Sequence, residues 1–172
     1  MGDLLKLAAG LMELAARTAP KTAGKDFVVT RVVTGEQLEQ LAADMERYGA
    51  ESGKRNFDRD GRNVAQSGAV LLVGLAGAQT AGLNCGACGR TKCIDLPPAS
   101  AGPEFAGPFC AWRFVDLGIA LGSAVKTASL LNVDNRIMYR IGVSARRLGL
   151  LEADVVLGVP LSATGKSPYF DR

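Results

Sequence analysis

Apolar and polar positions alternate in a way that divides the chain into short elements around one irregular stretch. Leu4, Leu5, Leu7, Ala8, Leu11, Met12 and Ala15 recur at helical spacing, which predicts a helix over 4–16 with one apolar face. Pro20 and Gly24 end it. Phe27 to Val33 is short and rich in β-branched residues, the signature of a strand. Thr34 and Gln37 are spaced as a capping box, so a helix is predicted to run to about Tyr48 with Leu38, Leu41, Ala42 and Met45 as its buried stripe. The polar stretch from Ala50 to Asp60 reads as loop, and a short helix follows around Gly61 to Gln66. Ala69 to Leu75 is apolar without a break, as expected of a strand buried on both faces.

Residues 82–110 break this rhythm. They hold all four cysteines together with Pro97, Pro98, Pro103 and Pro108, which excludes a helix of any length. A structureless stretch this long inside a compact domain needs something to tie it down. Beyond it, a helix is predicted over 110–131, where Gly118, Ala120, Gly122, Ala124 and Ala128 allow close packing. A second helix is predicted to start with Asp134 as its cap and run to Leu148, with Arg136, Arg140, Arg146 and Arg147 as a basic face. Val155 to Val159 is a strand, followed by an extended tail to Arg172. The expected fold is α+β, one domain over 1–172 with an inserted segment at 82–110.

Composition narrows the chemistry. The hydrophobic fraction of 48% supplies a real core, and a net charge of +3, scattered along the chain, gives no stripe for nucleic acid. There is no histidine, so Ser-His-Asp and Cys-His catalysis and His-ligated metals are excluded. The longest unbroken apolar run, 69–76, is far short of the roughly 20 residues a bilayer span needs, and no secretory signal is visible. The expectation is a soluble cytoplasmic protein, where cysteines serve metal or redox work more often than structural disulfides.

The cysteines follow the pattern Cys85-x2-Cys88-x4-Cys93-x16-Cys110. A [4Fe–4S] cluster needs four thiolates aimed at one small cube, and closely spaced cysteines with a distant fourth supply them. Gly86 and Gly89 let the backbone bend beside the ligands, and Arg90, Lys92 and Arg113 are placed to offset the cluster's negative charge. Three other readings stay open: a structural zinc site, which usually has two tight pairs; disulfides; and a Cys85–Cys88 redox pair.

The string from Asn84 to Cys93, with its fourth cysteine seventeen positions on, resembles the small [4Fe–4S] module of corrinoid iron–sulfur proteins and membrane electron-transfer complexes. Over nearly its whole length the chain resembles a bacterial and archaeal family of ferredoxin-domain-containing proteins. That resemblance rests on the segment from Arg17 to Lys21, residues 116–124, the run from Asp134 to Arg136, and the ending from Gly158 to Arg172. A more distant similarity is to the flavin-dependent nitroreductases. It implies a reduced nitroreductase-like fold and a homodimer with FMN at the interface, with Arg17, Thr18 and Lys21 matching the segment that binds the FMN phosphate and Lys166 and Arg172 matching the basic tail, all as cofactor-binding residues.

Other signals carry less. Ala163 to Ser167 has the end of a P-loop, but Pro160 stands where its first glycine belongs and no helix can follow. Gly118 and Gly122 are better explained by packing in a soluble core than by a membrane helix pair. Asp58, Asp60 and Asp116 read as solvated or capping residues for want of a visible partner. The sequence thus points to an iron–sulfur redox protein that passes electrons to a flavin or a partner protein. The competing class is a non-enzymatic protein in which a cluster or zinc staples the loop.

Overall fold

The computed structural model describes residues 1–170. Its centre is a four-stranded antiparallel sheet of β1 (Val28–Val33), β2 (Ala69–Leu75), β6 (Val155–Ser162) and β5 (Asp134–Asn135), in the order β1-β2-β6-β5. Val28 pairs with Leu75 and Val33 with Val70, while Ala69 pairs with Leu161 and Leu75 with Val155. Helices α1 (Gly2–Thr18) and α4 (Ala111–Leu130) cover one face; α2 (Glu36–Ser52), α3 (Phe57–Ala65) and α5 (Tyr139–Arg147) cover the other. Leu71, Val73 and Leu75 point into the first layer and Val70 and Leu72 into the second. Both faces of β2 are therefore buried, and this is why its sequence shows no alternation.

α1 and α4 are antiparallel. Thr22, just beyond α1, bonds Asp116 near the start of α4, while Leu4 and Leu7 share a cleft with Leu131 at its far end. Small side chains form their seam, with Ala8, Ala9 and Ala16 of α1 in one cluster with Ala120, Ala124 and Ala128 of α4. On the opposite layer α5 lies close on β6, where Gly142 leaves no room for a side chain against the Val156 carbonyl.

Several expectations are corrected. α1 has two apolar stripes: Leu5, Ala8, Met12 and Ala16 are buried, whereas Leu4, Leu7, Leu11 and Leu14 lie exposed. The capping box does not form, because Gly35, with φ at +58°, takes the N-cap of α2. Part of the supposed loop at 50–60 is helical, since α2 runs to Ser52 and α3 starts at Phe57, whose ring is fully buried. Asp134 is not a cap: it pairs with Ser162 at the sheet edge, and α5 begins only at Tyr139. Gly118 and Gly122 sit on the open side of α4, with nothing within 4 Å of a methyl group there.

The arginines read as a basic face are mostly spent inside the molecule. Arg140 pairs with Asp60 at 2.9 Å and Arg147 with Asp44 at 3.1 Å. Arg146 donates to the carbonyls of Ala153 and Glu104, and Arg136 to that of Tyr169. Asp60 and Asp116 are accordingly buried ion-pair members, while Asp58 is an exposed partner of Arg62. Buried carboxylates need such partners, since an unpaired charge in the interior is costly.

Candidate metal centre

The segment 76–109 leaves the sheet after β2 and returns at the start of α4. It contains one 3-10 turn, Cys93–Asp95, and a two-residue ladder of β3 (Ser100–Ala101) with β4 (Ala106–Gly107). Its feet are held firmly. Asp154 accepts from Gly77 N–H through its carboxylate and from Ala106 N–H through its carbonyl. Arg113, fully buried, donates to the carbonyls of Gln79, Thr22 and Lys25 and pairs with Asp116 at 2.9 Å. Asp116 in turn accepts from the backbone and hydroxyl of Thr22. One buried charge pair thus fixes the start of α4, the root of the cysteine segment and the turn after α1 against each other. Of the three cations expected to offset the cluster's charge, Arg113 is a buried anchor already paired with Asp116, while Arg90 and Lys92 are exposed on the loop itself.

All four cysteines are free thiols. Cys110 is buried at the N-cap of α4, and its carbonyl accepts from Arg113 N–H. Cys85, Cys88 and Cys93 lie on the loop, where Gly86 and Gly89 have φ of +76° and +80° and close a turn through a 2.9 Å bond. Side chains other than glycine rarely adopt that backbone, so the turn between Cys85 and Cys88 depends on these two positions. Asn84 and Cys93 grip each other: Asn84 N–H donates to the Cys93 sulfur at 3.3 Å, and Cys93 N–H to the Asn84 carboxamide at 2.8 Å. Trp112 Nε1–H donates to the Cys85 sulfur at 3.1 Å, joining the loop to the first turn of α4. The Ala87 backbone N–H, and after it this indole, hold the Cys85 thiol below the ordinary thiol range.

Among the described residues, no three Cys, Asp or Glu side chains stand together at metal-holding distance. The donor set nonetheless fits a thiolate-ligated group. Two of the four sulfurs already accept N–H bonds, as ligating sulfurs do in iron–sulfur sites. An open cleft of about 430 Å³ lies against Asn84, Cys85, Gly86, Gly89, Arg90 and Thr91. Sequence reasoning missed Trp112; an indole N–H, a donor with no acceptor role, two residues beyond a candidate ligand was the available signal.

Among the residues matched to a flavin site, those of the phosphate segment are engaged within the chain. Arg17 donates to Val28 O and faces the Asp26 carboxylate at 3.3 Å. Thr18 bonds back to Leu14 O, and the Lys21 ammonium caps α1 through the carbonyls of Ala16 and Arg17 at 2.8 Å each. These three sit at the cysteine end of the molecule. Lys166 lies in the segment after β6, three residues beyond Ala163, which lines the cleft at the other end of α1. Arg172 lies outside the described residues. The Asp26 carboxylate opposes an anion beside Arg17.

Known proteins place this architecture. The chain is similar to solved nitroreductases. One from Desulfitobacterium hafniense with bound FMN is 18% identical, with TM-score 0.59 over 96% of this chain and 82% of its own. Nitroreductase CinD from Lactococcus lactis, in complex with nicotinic acid, is 14% identical with TM-score 0.59, covering 96% and 84%. Against nitroreductase A from Vibrio parahaemolyticus, 12% identical with TM-score 0.57, the match covers 94% of this chain but spans only 60% of that protein. These likenesses establish a nitroreductase-like fold. Residues 106–172, which include Cys110 but not the other three cysteines, match the family described as uncharacterized protein containing a ferredoxin domain (DUF2148). An uncharacterized protein of Archaeoglobus fulgidus is 53% identical over 169 residues, covering 98% of this chain and 91% of its relative. The chain belongs to this ferredoxin-domain family.

Proposed function

We propose that the protein is an iron–sulfur electron-transfer protein or oxidoreductase built on a nitroreductase-type fold, with Cys85, Cys88, Cys93 and Cys110 holding a [4Fe–4S] cluster. The observation that carries this is the cysteine segment itself: its feet are clamped by Asp154 and the buried Arg113–Asp116 pair, and N–H donors already address its sulfurs. When bound, the cluster supplies one-electron transfer. The chain's own residues do the rest. The turn at Gly86 and Gly89 spaces the first two cysteines, Asn84 holds Cys93 back beside Cys85, and α4 presents Cys110 from a rigid end. Reversing the charge at Arg90 in the variant Arg90→Glu is expected to lower the reduction potential by tens of millivolts, roughly what exposed charges about 10 Å away exert in water. A redox titration checks this, and an unmoved potential contradicts a role for Arg90 in balancing the cluster.

A homodimer is part of the same proposal. α1 exposes Leu4, Leu7, Leu11 and Leu14 in one stripe, and α4 exposes Val115 and Ile119 beside Gly118 and Gly122, whose missing side chains leave that face flat. Such a contiguous apolar surface on two neighbouring helices fits a second copy of this chain. The wild type is expected to sediment at twice the chain mass, and the double variant Leu7→Glu with Leu14→Glu as a monomer with unchanged helix content. No helix among the described residues is long and apolar enough to cross a membrane.

A second reading adds FMN. It is favoured by the fold likeness to a nitroreductase with bound FMN. It needs Arg17 to leave Val28 and Asp26. Added FMN that stays on the protein through gel filtration supports it; FMN that separates removes it and leaves the iron–sulfur proposal standing.

A further inference from the structure

We infer that Trp112 is a positioning residue for the metal centre: its indole N–H holds the Cys85 sulfur in place as a ligand and lowers that sulfur's electron donation to the metal. The inference rests on Cys85 being a metal ligand, but not on which metal the site holds.

The geometry is specific. Trp112 Nε1 stands 3.1 Å from the Cys85 sulfur, across 27 residues of chain. The indole belongs to the first turn of α4, two residues after Cys110, so it spans from the helix that carries one cysteine to the loop that carries three. Its platform does not give way. Arg113, the next residue, is fully buried on three backbone carbonyls, and Asp116 one turn on is buried on Thr22. Cys85 itself is exposed on a loop, where the Ala87 N–H addresses its sulfur from within the local turn and the indole ties it to α4. An N–H donor to a ligating thiolate draws electron density from the sulfur. It stabilises the more electron-rich form of the centre, and it moves sulfur-to-metal charge transfer to higher energy.

This chain has a single tryptophan, which makes the test clean. Metal-free protein is titrated with cobalt(II), and both affinity and the sulfur-to-cobalt absorption band are followed in wild type and Trp112→Phe. The variant is expected to bind cobalt about tenfold more weakly, within the range typical for losing such an outer hydrogen bond, with its charge-transfer band shifted to longer wavelength. Iron-loaded variant protein is expected to have a more negative potential than wild type. Replacing the tryptophan with 3-benzothienylalanine, which keeps the shape and removes only the N–H, is expected to reproduce both shifts and guards against misfolding of the phenylalanine variant. Ile94→Ala, a change at an exposed loop side chain, is expected to move neither.

An unmoved band overturns the inference, whether or not affinity falls, since packing alone would account for weaker binding. A wild type that binds no cobalt overturns it as well, because Cys85 is then not a ligand. Failure of the iron–sulfur proposal reads differently: there the native protein carries zinc instead of iron and sulfide, while the cobalt shifts still appear.

Discussion

Cys110→Ser is expected to fold as the wild type does and to lose its metal, with affinity down by more than the roughly 100-fold at the upper end for an outer-contact loss. Position 110 is where this contrast is sharpest. Cys110 is the N-cap of α4 and makes no side-chain capping bond, and serine is among the preferred residues there. The substitution therefore leaves the helix start intact or slightly improved while removing one thiolate of four. Cys110 is also the buried cysteine, held by a fixed helix end, so the three loop cysteines have no other rigid point on which to close. Iron and sulfide analysis beside a thermal melt of the metal-free protein separates the two effects. Retention of full wild-type iron in Cys110→Ser would show that the fourth ligand lies elsewhere.

Gly142→Ala is expected to be the most damaging single methyl group in the fold. A Cβ at that position would stand 1.6 Å from the Val156 carbonyl oxygen and 2.3 Å from its carbon, both backbone atoms of a paired strand. Neither can give way without breaking the β2–β6 ladder or lifting α5 from the sheet. The reciprocal contact is as tight, since a Cβ at Gly158 would stand 2.0 Å from Ile141 Cγ2. Overpacking commonly costs about 1–3 kcal/mol, and a clash against backbone belongs at or above the top of that range. At about 2–4 °C per kcal/mol for a chain of this size, the midpoint falls by roughly 10 °C. A thermal or urea melt checks it, and a shift under about 1 kcal/mol would mean that α5 and β6 do not pack this closely.

Much of this architecture was legible because local and tertiary demands agree. The unbroken apolar run of β2 announced a strand with two buried faces, and helices cover both. The prolines and glycines of 82–110 announced an irregular segment, and only one 3-10 turn and a two-residue ladder form there. What escaped depended on partners distant in sequence. Asp60 and Asp116 have the composition of surface acids until Arg140, 80 residues away, and the turn at Thr22 close over them. Asp134 carries a capping residue's chemistry, but the edge of β6 claims its backbone first. The second apolar stripe of α1 was merged with the first because a helix with leucines on two sides and one with a broad single face share the same spacing. The cysteine positions were plain in the sequence, whereas the roles of Trp112 and Arg113 come from contacts across 27 and 34 residues.

The most direct measurement is an absorption spectrum with iron, sulfide and zinc analysis on the wild-type protein purified without oxygen. A brown protein with about four iron and four sulfide per chain is the expected result. A colourless protein with about one zinc per chain contradicts it and makes the four cysteines a structural staple with no part in electron transfer.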